Sequence, residues 1–411
     1  MDVDGSKVMT VLGPVNGEDI GLVLMNEHLA CDPSKRNQLY LSKMKSFGGG
    51  HEEFNSQITM QNLSCIRLMP FTHTGNMSLS STNDAYCELE HLKSSGCITV
   101  VDSTNIVHGR SYKSLENLAR RLGINIIIGT SCSKFEAATL SPENNIEQGE
   151  ENITRMEREL LHGIDESNGI RAGFIGEVQV PERFDESGCW ELKVSAMVQK
   201  STNAPLIVTE TIPSKYSLKI LDQIAAYGGK INRTILSHMD MYASDLEFLK
   251  KVLDRGAFIC FDRFTVSSSC FDPDQYFPTI KHVVECIYAL LQDTISYLDQ
   301  IVLSSGVFMK LQYRKYGGVE YNSLFEHLLP RLKVKGISEE QINTIVHWNP
   351  RKLLQWWTPP PEPERPKEYI PCSVCRKLFE PILGEYYTKY SFSYCGTDCL
   401  RQHRKMGFKE I

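Results

Sequence analysis

The segment Leu22-Val-Leu-Met-Asn-Glu-His28 places polar residues directly after a short apolar run. An apolar run of this length is typical of a strand that is buried on both faces of a parallel sheet. The first run is Leu22–Met25, and seven more follow: Cys97–Val101, Asn125–Ile128, Gly173–Gly176, Pro205–Val208, Arg233–Leu236, Ala257–Cys260 and Ile301–Leu303. The eight runs predict eight parallel strands.

Helical patterns separate most of these runs, at residues 114–122, 218–227, 245–253 and 279–291. Eight strand–helix alternations over ~330 residues predict an α/β fold of the (β/α)8 TIM barrel type, with a doubly wound open sheet as the alternative. Two stretches interrupt the alternation. Residues 31–92 are too long for a simple connection, and residues 141–151 predict a polar, mobile loop.

The barrel is expected to end in residues 345–357, with Trp356 and Trp357 packing its last helix. The prolines in Thr358-Pro-Pro-Pro-Glu-Pro-Glu-Arg-Pro366 block both helix and sheet and favour an extended spacer. We therefore predict a barrel at 1–357, a Pro-rich linker at 358–368 and a small separate module at 369–411.

The composition is that of an ordinary globular protein, with 41% hydrophobic and 23% charged residues among 411. A net charge of -6 argues against a chain that binds polyanions over its whole surface. Met1 to Thr10 shows no signal-peptide pattern, and no apolar run reaches the ~18 to 20 residues of a membrane span. The cytoplasm is therefore the expected location, with the nucleus as the alternative.

Catalytic residues of TIM barrels lie at the carboxyl ends of the strands. The residues that follow the eight runs form a polar set: Asn26-Glu-His28, Asp102-Ser-Thr104, Ser131-Cys132, Glu177, Thr209-Glu210, His238-Met-Asp240, Asp262-Arg263 and Ser304-Ser-Gly306. A candidate site is therefore predicted at this end of the barrel.

Several segments between residues 8 and 356 form a collinear set of motifs: Val11-Leu-Gly-Pro14, Met25-Asn-Glu-His-Leu29, Ile66-Arg-Leu-Met-Pro-Phe-Thr-His73, Val101-Asp-Ser-Thr104, Gly123-Ile-Asn-Ile-Ile-Ile-Gly-Thr130, Ala172-Gly-Phe-Ile-Gly-Glu177, Ile235-Leu-Ser-His-Met-Asp240 and Lys315-Tyr-Gly-Gly318. Together they resemble the phosphotriesterase family, and specifically its animal branch of phosphotriesterase-related proteins. The resemblance implies two divalent metal ions, usually zinc, that share an activated water for attack on an ester, lactone or amide carbon or on phosphorus.

The resemblance also implies which residues would hold those metals. The bridging carboxylate falls on Glu177, and two of the family's histidines fall on His28 and His238. Three further ligand positions carry other residues: Asn26 and Thr209 replace histidines, and Gly306 replaces the aspartate that ends strand eight. Each metal would keep two of these ligands, whereas a catalytic zinc ordinarily has three from the protein.

Three interpretations follow for His28, Glu177 and His238: a hydrogen-bonded polar cluster, a single remodelled metal site, or an intact binuclear centre. Glu210 is a substitute donor only if a bulge turns it inward, because adjacent strand residues face opposite sides. Asp240, Asp262 and Cys132 are further candidate donors.

For the other polar residues near the strand ends, a structural role is favoured over a role in ligand binding or catalysis. Asp262 and Arg263 predict an ion pair that closes the mouth, with anion binding by Arg263 as the alternative. His51, His73 and His108 lack ligand spacing, which favours surface or packing roles.

Cys372-x₂-Cys375 and Cys395-x₃-Cys399 are two close cysteine pairs, as a tetrahedral zinc site needs. They predict a structural zinc site with four cysteine ligands, with His403 as an alternative ligand and a disordered tail with free thiols as the competing explanation. A strand at 386–394 and a helix at 398–405 would make the module resemble a treble-clef finger. The nine other cysteines are scattered and are expected to be reduced.

These patterns leave three hypotheses for function. The first is a non-catalytic or weakly active family member that acts as a scaffold or ligand-binding protein, with a small molecule in the mouth and a protein partner at the zinc finger. The second is a metal-dependent hydrolase of ester, lactone, phosphoester or N-acyl amide bonds that uses His28, Glu177 and His238. The third is a zinc-finger adaptor for protein or nucleic acid, although seven Lys/Arg against four Asp/Glu in residues 369–411 make the tail only mildly basic.

Overall fold

The structure is a computed structural model. It describes residues 5–31, 57–68, 70, 73–105, 109–132, 144–165, 167, 169–180, 184, 189–210, 215–265, 278–359, 369–381 and 386–409. The chain forms two compact units, Met1–Pro359 and Pro360–Ile411. Within the described residues, no helix combines the length and apolar character that crossing a membrane requires.

The first unit contains an eight-stranded parallel sheet whose strands are adjacent in chain order. After the hairpin strands β1 (Lys7–Thr10) and β2 (Gly13–Asn16), the barrel strands are β3 (Leu22–Glu27), β4 (Cys97–Asp102), β5 (Asn125–Thr130), β6 (Phe174–Val180), β7 (Leu206–Glu210), β8 (Thr234–Ser237), β9 (Phe258–Phe261) and β10 (Ile301–Leu303). The backbone N–H of His28 donates to Val307 O at 3.0 Å, which joins the end of the first barrel strand to the segment after the last. The predicted (β/α)8 TIM barrel is confirmed.

Helices follow the strands and cover the outside of the barrel. The α-helices of this unit are Leu63–Leu68, Thr74–Met77, Thr82–Ser94, Tyr112–Leu122, Asn144–Leu161, Trp190–Thr202, Ser217–Ala226, Leu246–Leu253, Ile280–Leu291, Leu329–Lys335, Glu339–Asn343 and Asn349–Leu354. Short 3-10 turns lie at Gly17–Ile20, Ile231–Arg233, Met239–Tyr242, Leu298–Gln300, Lys310–Gln312 and Arg314–Tyr316, and π-helical turns lie at Leu324–Leu328 and Thr344–Trp348.

Two hydrophobic layers use alternate residues of each strand. Val23 and Met25 pack inside the barrel, whereas Leu24 packs in the layer between strands and helices. This alternation is the two-residue period of a strand applied to a sheet with two buried faces. The register of β3 against β4 shifts between Leu24 and Glu27, so the strict alternation is interrupted just before the polar residues that end the strand.

The end of the barrel unit differs from the expected helix packing of Trp356 and Trp357. Gln355–Trp357 forms strand β11, which pairs with β1. The indole N–H of Trp356 donates to Gly173 O at 2.6 Å, and Arg171 lies 4.9 Å from the Trp357 ring. The sequence did not decide whether Trp356 and Trp357 belong to a strand or pack against a helix, because a bulky aromatic side chain is compatible with either.

The predicted polar loop at 141–151 is wrong over residues 144–151, which belong to the helix Asn144–Leu161. The helix is held by Met156 and Leu160, which are fully buried, and by Ile153, which packs beside them. The polar composition of its first turns concealed the apolar face further along.

The second unit contains two short hairpins and a helix. Its elements are β12 (Ile370–Pro371), β13 (Leu378–Phe379), β14 (Tyr387–Lys389), β15 (Phe392–Tyr394) and the helix Thr397–Lys405. The expected single strand at 386–394 is therefore a hairpin, in which Tyr390 adopts a φ of 57° at the turn. The expected helix is present and carries Cys399 in its first turn.

The carboxylate of Glu27 connects the first barrel strand to the last. It is fully buried and accepts hydrogen bonds from Ser304 Oγ at 2.7 Å and from three successive backbone N–H groups. These belong to Ser305 at 2.7 Å, Gly306 at 3.0 Å and Val307 at 2.7 Å. Burial raises the pKa of Glu27 to about 7, while the four donors act in the opposite direction.

Replacing Glu27 with alanine should destabilise the barrel, because a buried hydroxyl, two buried N–H groups and one partly buried N–H group would lose their acceptor. We expect the free energy of unfolding to fall by on the order of 3–5 kcal/mol. Urea unfolding of Glu27→Ala, compared with the exposed control Glu18→Ala, measures this. Equal midpoints for the two variants would contradict the assigned role.

Candidate functional site

The candidate site lies at the carboxyl ends of the barrel strands. Asn26 belongs to β3, Glu177 to β6 and Thr209 to β7, while His238 follows β8 and Asp262 follows β9. Glu177 and Thr209 are buried, at 2% and 0% exposure, and His238 is partly exposed. The side chains that the sequence singled out at these positions therefore meet around one mouth.

Glu177 is bound by two neighbouring side chains. Thr209 Oγ1 donates to Glu177 Oε1 at 2.7 Å, and Gln179 Nε2 donates to Glu177 Oε2 at 3.0 Å. Both carboxylate oxygens thus already have a protein donor. The residue that stands in place of a histidine, Thr209, is one of these donors.

Asn26 is bound in a similar way on the other side of the mouth. Its Nδ2 donates to Asp262 Oδ2 at 2.7 Å, and its backbone N–H donates to Ser304 Oγ at 2.8 Å. Asp262 Oδ1 accepts the backbone N–H of His238 at 2.9 Å. One carboxylate therefore joins the ends of β3, β8 and β9.

The backbone at Gly306 leaves no space for a side chain. Its φ is +66°, and a Cβ atom built there would lie 1.7 Å from the backbone oxygen of Asp262. Both the left-handed φ and the contact disfavour any residue except glycine. An aspartate could occupy this position only after the backbone moved.

The two histidines make one identified ring contact each. His28 Nδ1 lies 3.1 Å from Thr104 Oγ1, and His238 Nδ1 lies 3.2 Å from Glu210 O. Burial, and then the positive charge of Arg263, lowers the pKa of His238 well below its usual value. His238 is therefore neutral at pH 7 and donates from Nδ1 to the carbonyl.

Asp240 and Asp262 form a pair of buried acids beside His238. Burial raises the pKa of Asp240 to about 7, while the backbone N–H and the charge of Arg263 act to lower it. Burial and the neighbouring Asp240 carboxylate raise the pKa of Asp262 well above its usual value. The backbone N–H of Arg263 donates to Asp240 Oδ2 at 2.5 Å, and its Nη1 lies 3.5 Å from Met241 Sδ. The ion pair between Asp262 and Arg263 stays a prediction.

The second unit brings Cys372, Cys375, Cys395 and Cys399 together. One sulfur from each lies within 4.8 Å of all the others. Burial acts to raise the pKa of Cys372, but the backbone N–H groups of Cys395, Cys375 and Val374 outweigh it and lower the pKa to about 6. A thiolate is the form that a metal binds.

His403, the alternative ligand in this unit, is fully buried and uses both ring nitrogens elsewhere. Its Nδ1 lies 3.0 Å from Tyr394 Oη, and its Nε2 lies 2.6 Å from Lys409 O. The ring also packs edge-on against Phe392. These contacts favour a set of four cysteines.

Comparison with known proteins agrees with the arrangement of both units. The sequence model of the Phosphotriesterase family matches residues 6–354. The chain belongs to the phosphotriesterase family. A second model, the Vms1-associating treble clef domain, matches residues 367–410.

Two relatives illustrate the range of family members that the chain resembles. A phosphotriesterase-related protein of Nematostella vectensis is 28% identical over 84% of this chain and 97% of its own length. The N-acetyltaurine hydrolase of Homo sapiens is 27% identical over 85% of this chain and 97% of its own length.

Solved structures show the same barrel. A resiniferatoxin-binding protein from Rhodobacter sphaeroides has a TM-score of 0.73 and 27% identity, over 85% of this chain and 95% of its own. An organophosphorus hydrolase from Deinococcus radiodurans has a TM-score of 0.64 and 20% identity, over 85% of this chain and 97% of its own, and shows likeness of fold alone.

The residues present do not fit the family's pair of metals. Across the described parts of the chain, the four cysteines are the one set of three or more His, Cys, Asp or Glu side chains with donor atoms within 4.8 Å of each other. His28, Glu177 and His238 do not form such a set. Asn26 and Thr209 are instead hydrogen-bonded to carboxylates, and Gly306 has no room for the family's aspartate.

Two of the candidate substitute donors lie elsewhere. Glu210 is turned away from the mouth, because its carboxylate accepts hydrogen bonds from Ser217 Oγ and from Tyr242 Oη, the latter at 2.8 Å. No bulge turns it inward, as substitution for a histidine would have required. Cys132 Sγ lies 3.8 Å from Met156 Sδ in the outer hydrophobic layer.

Among the other histidines, His73 has the predicted structural role. It is buried, and its Nδ1 accepts the backbone N–H of Asn76 at the start of a short helix. His51 and His108 lie outside the described residues.

Two buried acids near the mouth belong to the predicted polar set, but the sequence assigned them no individual role. Glu27 supports the loop after β10, and Asp102 Oδ1 accepts the backbone N–H of Thr104 at 2.9 Å. Burial raises the pKa of Asp102. Each of these acids follows an apolar run, and this position was the only indication that the sequence offered. Position does not distinguish an acid that accepts structural hydrogen bonds from one that binds a metal.

Gly306→Asp would restore the family's residue but should destabilise the protein instead of repairing the site. We expect the free energy of unfolding to fall by more than about 3 kcal/mol. The backbone at residue 306 must move, and this movement would disturb the hydrogen bonds that the segment donates to Glu27. Gly256→Ala is a matched control, because its φ is +88° and nothing lies within 4 Å of an added Cβ. Urea midpoints measure both, and a fully stable Gly306→Asp would refute the exclusion.

Proposed function

We propose that this protein is a binding protein of the phosphotriesterase family. Its barrel mouth is organised by hydrogen bonds in place of two metals, and its C-terminal finger is a zinc-dependent contact module for a protein partner. The observation that carries the proposal is Gly306, where a Cβ would lie 1.7 Å from Asp262 O. Repair of the centre by a single substitution is therefore sterically opposed.

Glu177 and His238, two of the ligands carried over from the family, offer little hydrolytic chemistry by themselves. Without a metal, activation of water needs a free general base within hydrogen-bond reach. Both oxygens of Glu177 already accept hydrogen bonds from Thr209 and Gln179. The low pKa of His238 makes it a weak base. These contacts suit recognition of a small molecule better than turnover.

The finger supports the second part of the proposal. Four converging sulfurs fit a zinc site with four cysteine ligands, and a unit of this size needs metal binding to supply its folding energy. The domain that it matches is described as Vms1-associating, which favours a protein partner over nucleic acid. The cysteines in the described ranges are thiols, which fits a reducing compartment such as the cytoplasm.

Hydrolysis is the second candidate function, because relatives at 27% identity are named N-acetyltaurine hydrolase. On this hypothesis His28, Glu177 and His238 would hold at least one metal, with N-acyl amides as the substrate class. The geometry of the described residues, which does not gather these donors, ranks it below the binding function.

Metal content separates the two functions. The binding function predicts one zinc per full-length chain, unchanged in Glu177→Ala and His28→Ala and lost in the double variant Cys375→Ser/Cys395→Ser. Elemental analysis of protein purified without chelator measures it. Two or three metals per chain, falling to one in Glu177→Ala, would support the hydrolase.

Turnover gives an independent test on the same preparations. We expect no hydrolysis of esters, lactones, organophosphates or N-acyl amino acids above the level of a Glu177→Ala control, with or without added zinc or manganese. Activity that requires metal and disappears in Glu177→Ala would overturn the binding function.

A further inference from the structure

Positive charge is concentrated in the second half of the finger. Residues 386–409 contain five Lys or Arg side chains and one acidic side chain, Asp398. The carboxylate of Asp398 lies 3.6 Å from Arg401 Nη1. The other four cations are exposed and form no ion pair with a carboxylate of the described residues: Lys389, Arg404, Lys405 and Lys409. Their charge is therefore open to a partner.

Aromatic rings lie against one of these cations, at the tip of the hairpin formed by β14 and β15. Lys389 Nζ lies 5.6 Å from the ring centre of Tyr390 and 5.5 Å from that of Phe408. The two rings are 5.5 Å apart and meet edge to face. The backbone N–H of Phe408 donates to His403 O at 3.1 Å, which holds this ring at the end of the last helix.

The hairpin tip and the helix end thus form one surface, because Phe408 touches the first and follows directly on the second. The last turn of the helix adds Arg404 and Lys405. We call this surface the basic corner and define it by five residues: Lys389, Tyr390, Arg404, Lys405 and Phe408.

Tyr390 is an unusual residue for its position in the turn. Its φ is 57°, in the left-handed region, and it is 78% exposed. Glycine and asparagine are preferred at such positions, and a bulky residue there is a rare exception. The requirements of the turn therefore do not explain a tyrosine. An exposed aromatic ring in an unfavourable turn conformation suits contact with another molecule.

Basic and aromatic side chains together could bind an acidic peptide or a nucleic acid strand, and two features favour the peptide. Asp398 is 95% exposed in the first turn of the helix, where its charge opposes the approach of phosphate groups. Among the described residues, β14 (Tyr387–Lys389) pairs with β15 alone, which leaves its outer edge open to an extended peptide.

We propose that the basic corner is a docking surface for a short acidic segment of a partner protein. Carboxylates of the segment pair with Lys389, Arg404 and Lys405, and an apolar side chain between them packs on Tyr390 and Phe408. Successive carboxylates reach separate cations, so the cations need not converge on one point. Each exposed pair contributes little alone, and binding depends on several acting together. This inference rests on the proposed contact module and adds the chemistry of its partner.

The test uses the full-length chain, purified without chelator, and three fluorescent probes of equal length. The probes are a peptide of glutamates around one phenylalanine, the same peptide with glutamine in place of glutamate, and an oligouridylate RNA. Fluorescence anisotropy at physiological ionic strength measures binding. We expect the glutamate peptide to bind at least about ten-fold more tightly than the other two.

Three outcomes of this series would overturn the proposal. The first is equal affinity for the two peptides, and the second is no binding of the glutamate peptide at millimolar concentration. The third is tighter binding of the RNA, which would assign the basic corner to nucleic acid instead.

The double variant Lys389→Gln/Lys405→Gln tests the assigned cations. We expect its affinity for the glutamate peptide to fall at least about ten-fold. The control Lys113→Gln/Lys377→Gln removes the same charge from two exposed lysines outside the basic corner and should bind as wild type does. Equal losses in the two double variants would mean attraction by overall charge and would contradict the assigned surface.

Tyr390→Asn separates binding from folding, because asparagine is favoured at a φ of 57° and removes the ring. We expect the variant to keep its zinc and to bind the glutamate peptide several-fold more weakly. Full affinity in a variant that keeps its zinc would contradict the role assigned to the ring.

Zinc content, measured on the same samples, separates this inference from the proposed function. One zinc per chain with no binding of the glutamate peptide would refute the inference alone. Binding that persists unchanged in Cys375→Ser/Cys395→Ser would refute the zinc-dependent contact module itself.

Discussion

The buried carboxylate of Glu27 is the interaction on which the mouth depends. It accepts three successive backbone N–H groups and one hydroxyl from the segment after β10, and so joins the first and last barrel strands. The same contacts hold Gly306 close to the backbone of Asp262. The segment that would present the family's catalytic aspartate is thus fixed where glycine alone fits.

The three departures from the family's ligands can be understood together. Thr209 donates to Glu177, and Asn26 donates to Asp262. Gly306 lets its own backbone lie close to the backbone oxygen of Asp262. In a metal centre, the positive charge of the ions would stabilise these buried carboxylates. In this chain, neutral donors reach the same carboxylates: Thr209 and Gln179 donate to Glu177, and Asn26 donates to Asp262. Burial raises the pKa values of Asp240 and Asp262, because a carboxylate loses its hydration when it is enclosed by protein.

Much of the fold followed from sequence because each barrel strand is a short apolar run buried on both faces. The exceptions were segments that tertiary contacts decide, such as β11 pairing with β1 and the helix at 144–161. In the site, the positions of His28, Glu177 and His238 came from family resemblance. Their partners could not be predicted, since Asn26 and Asp262 are 236 residues apart in the chain.

The two units differ in how their candidate metal ligands are arranged. Four cysteines converge in the second unit, whereas the described His, Cys, Asp and Glu side chains of the barrel do not form a comparable set. Anomalous scattering from crystals of the full-length protein, recorded at the zinc edge, tests this most directly. The account predicts one peak per chain, among Cys372, Cys375, Cys395 and Cys399. A peak beside Glu177, between His28 and His238, would contradict it.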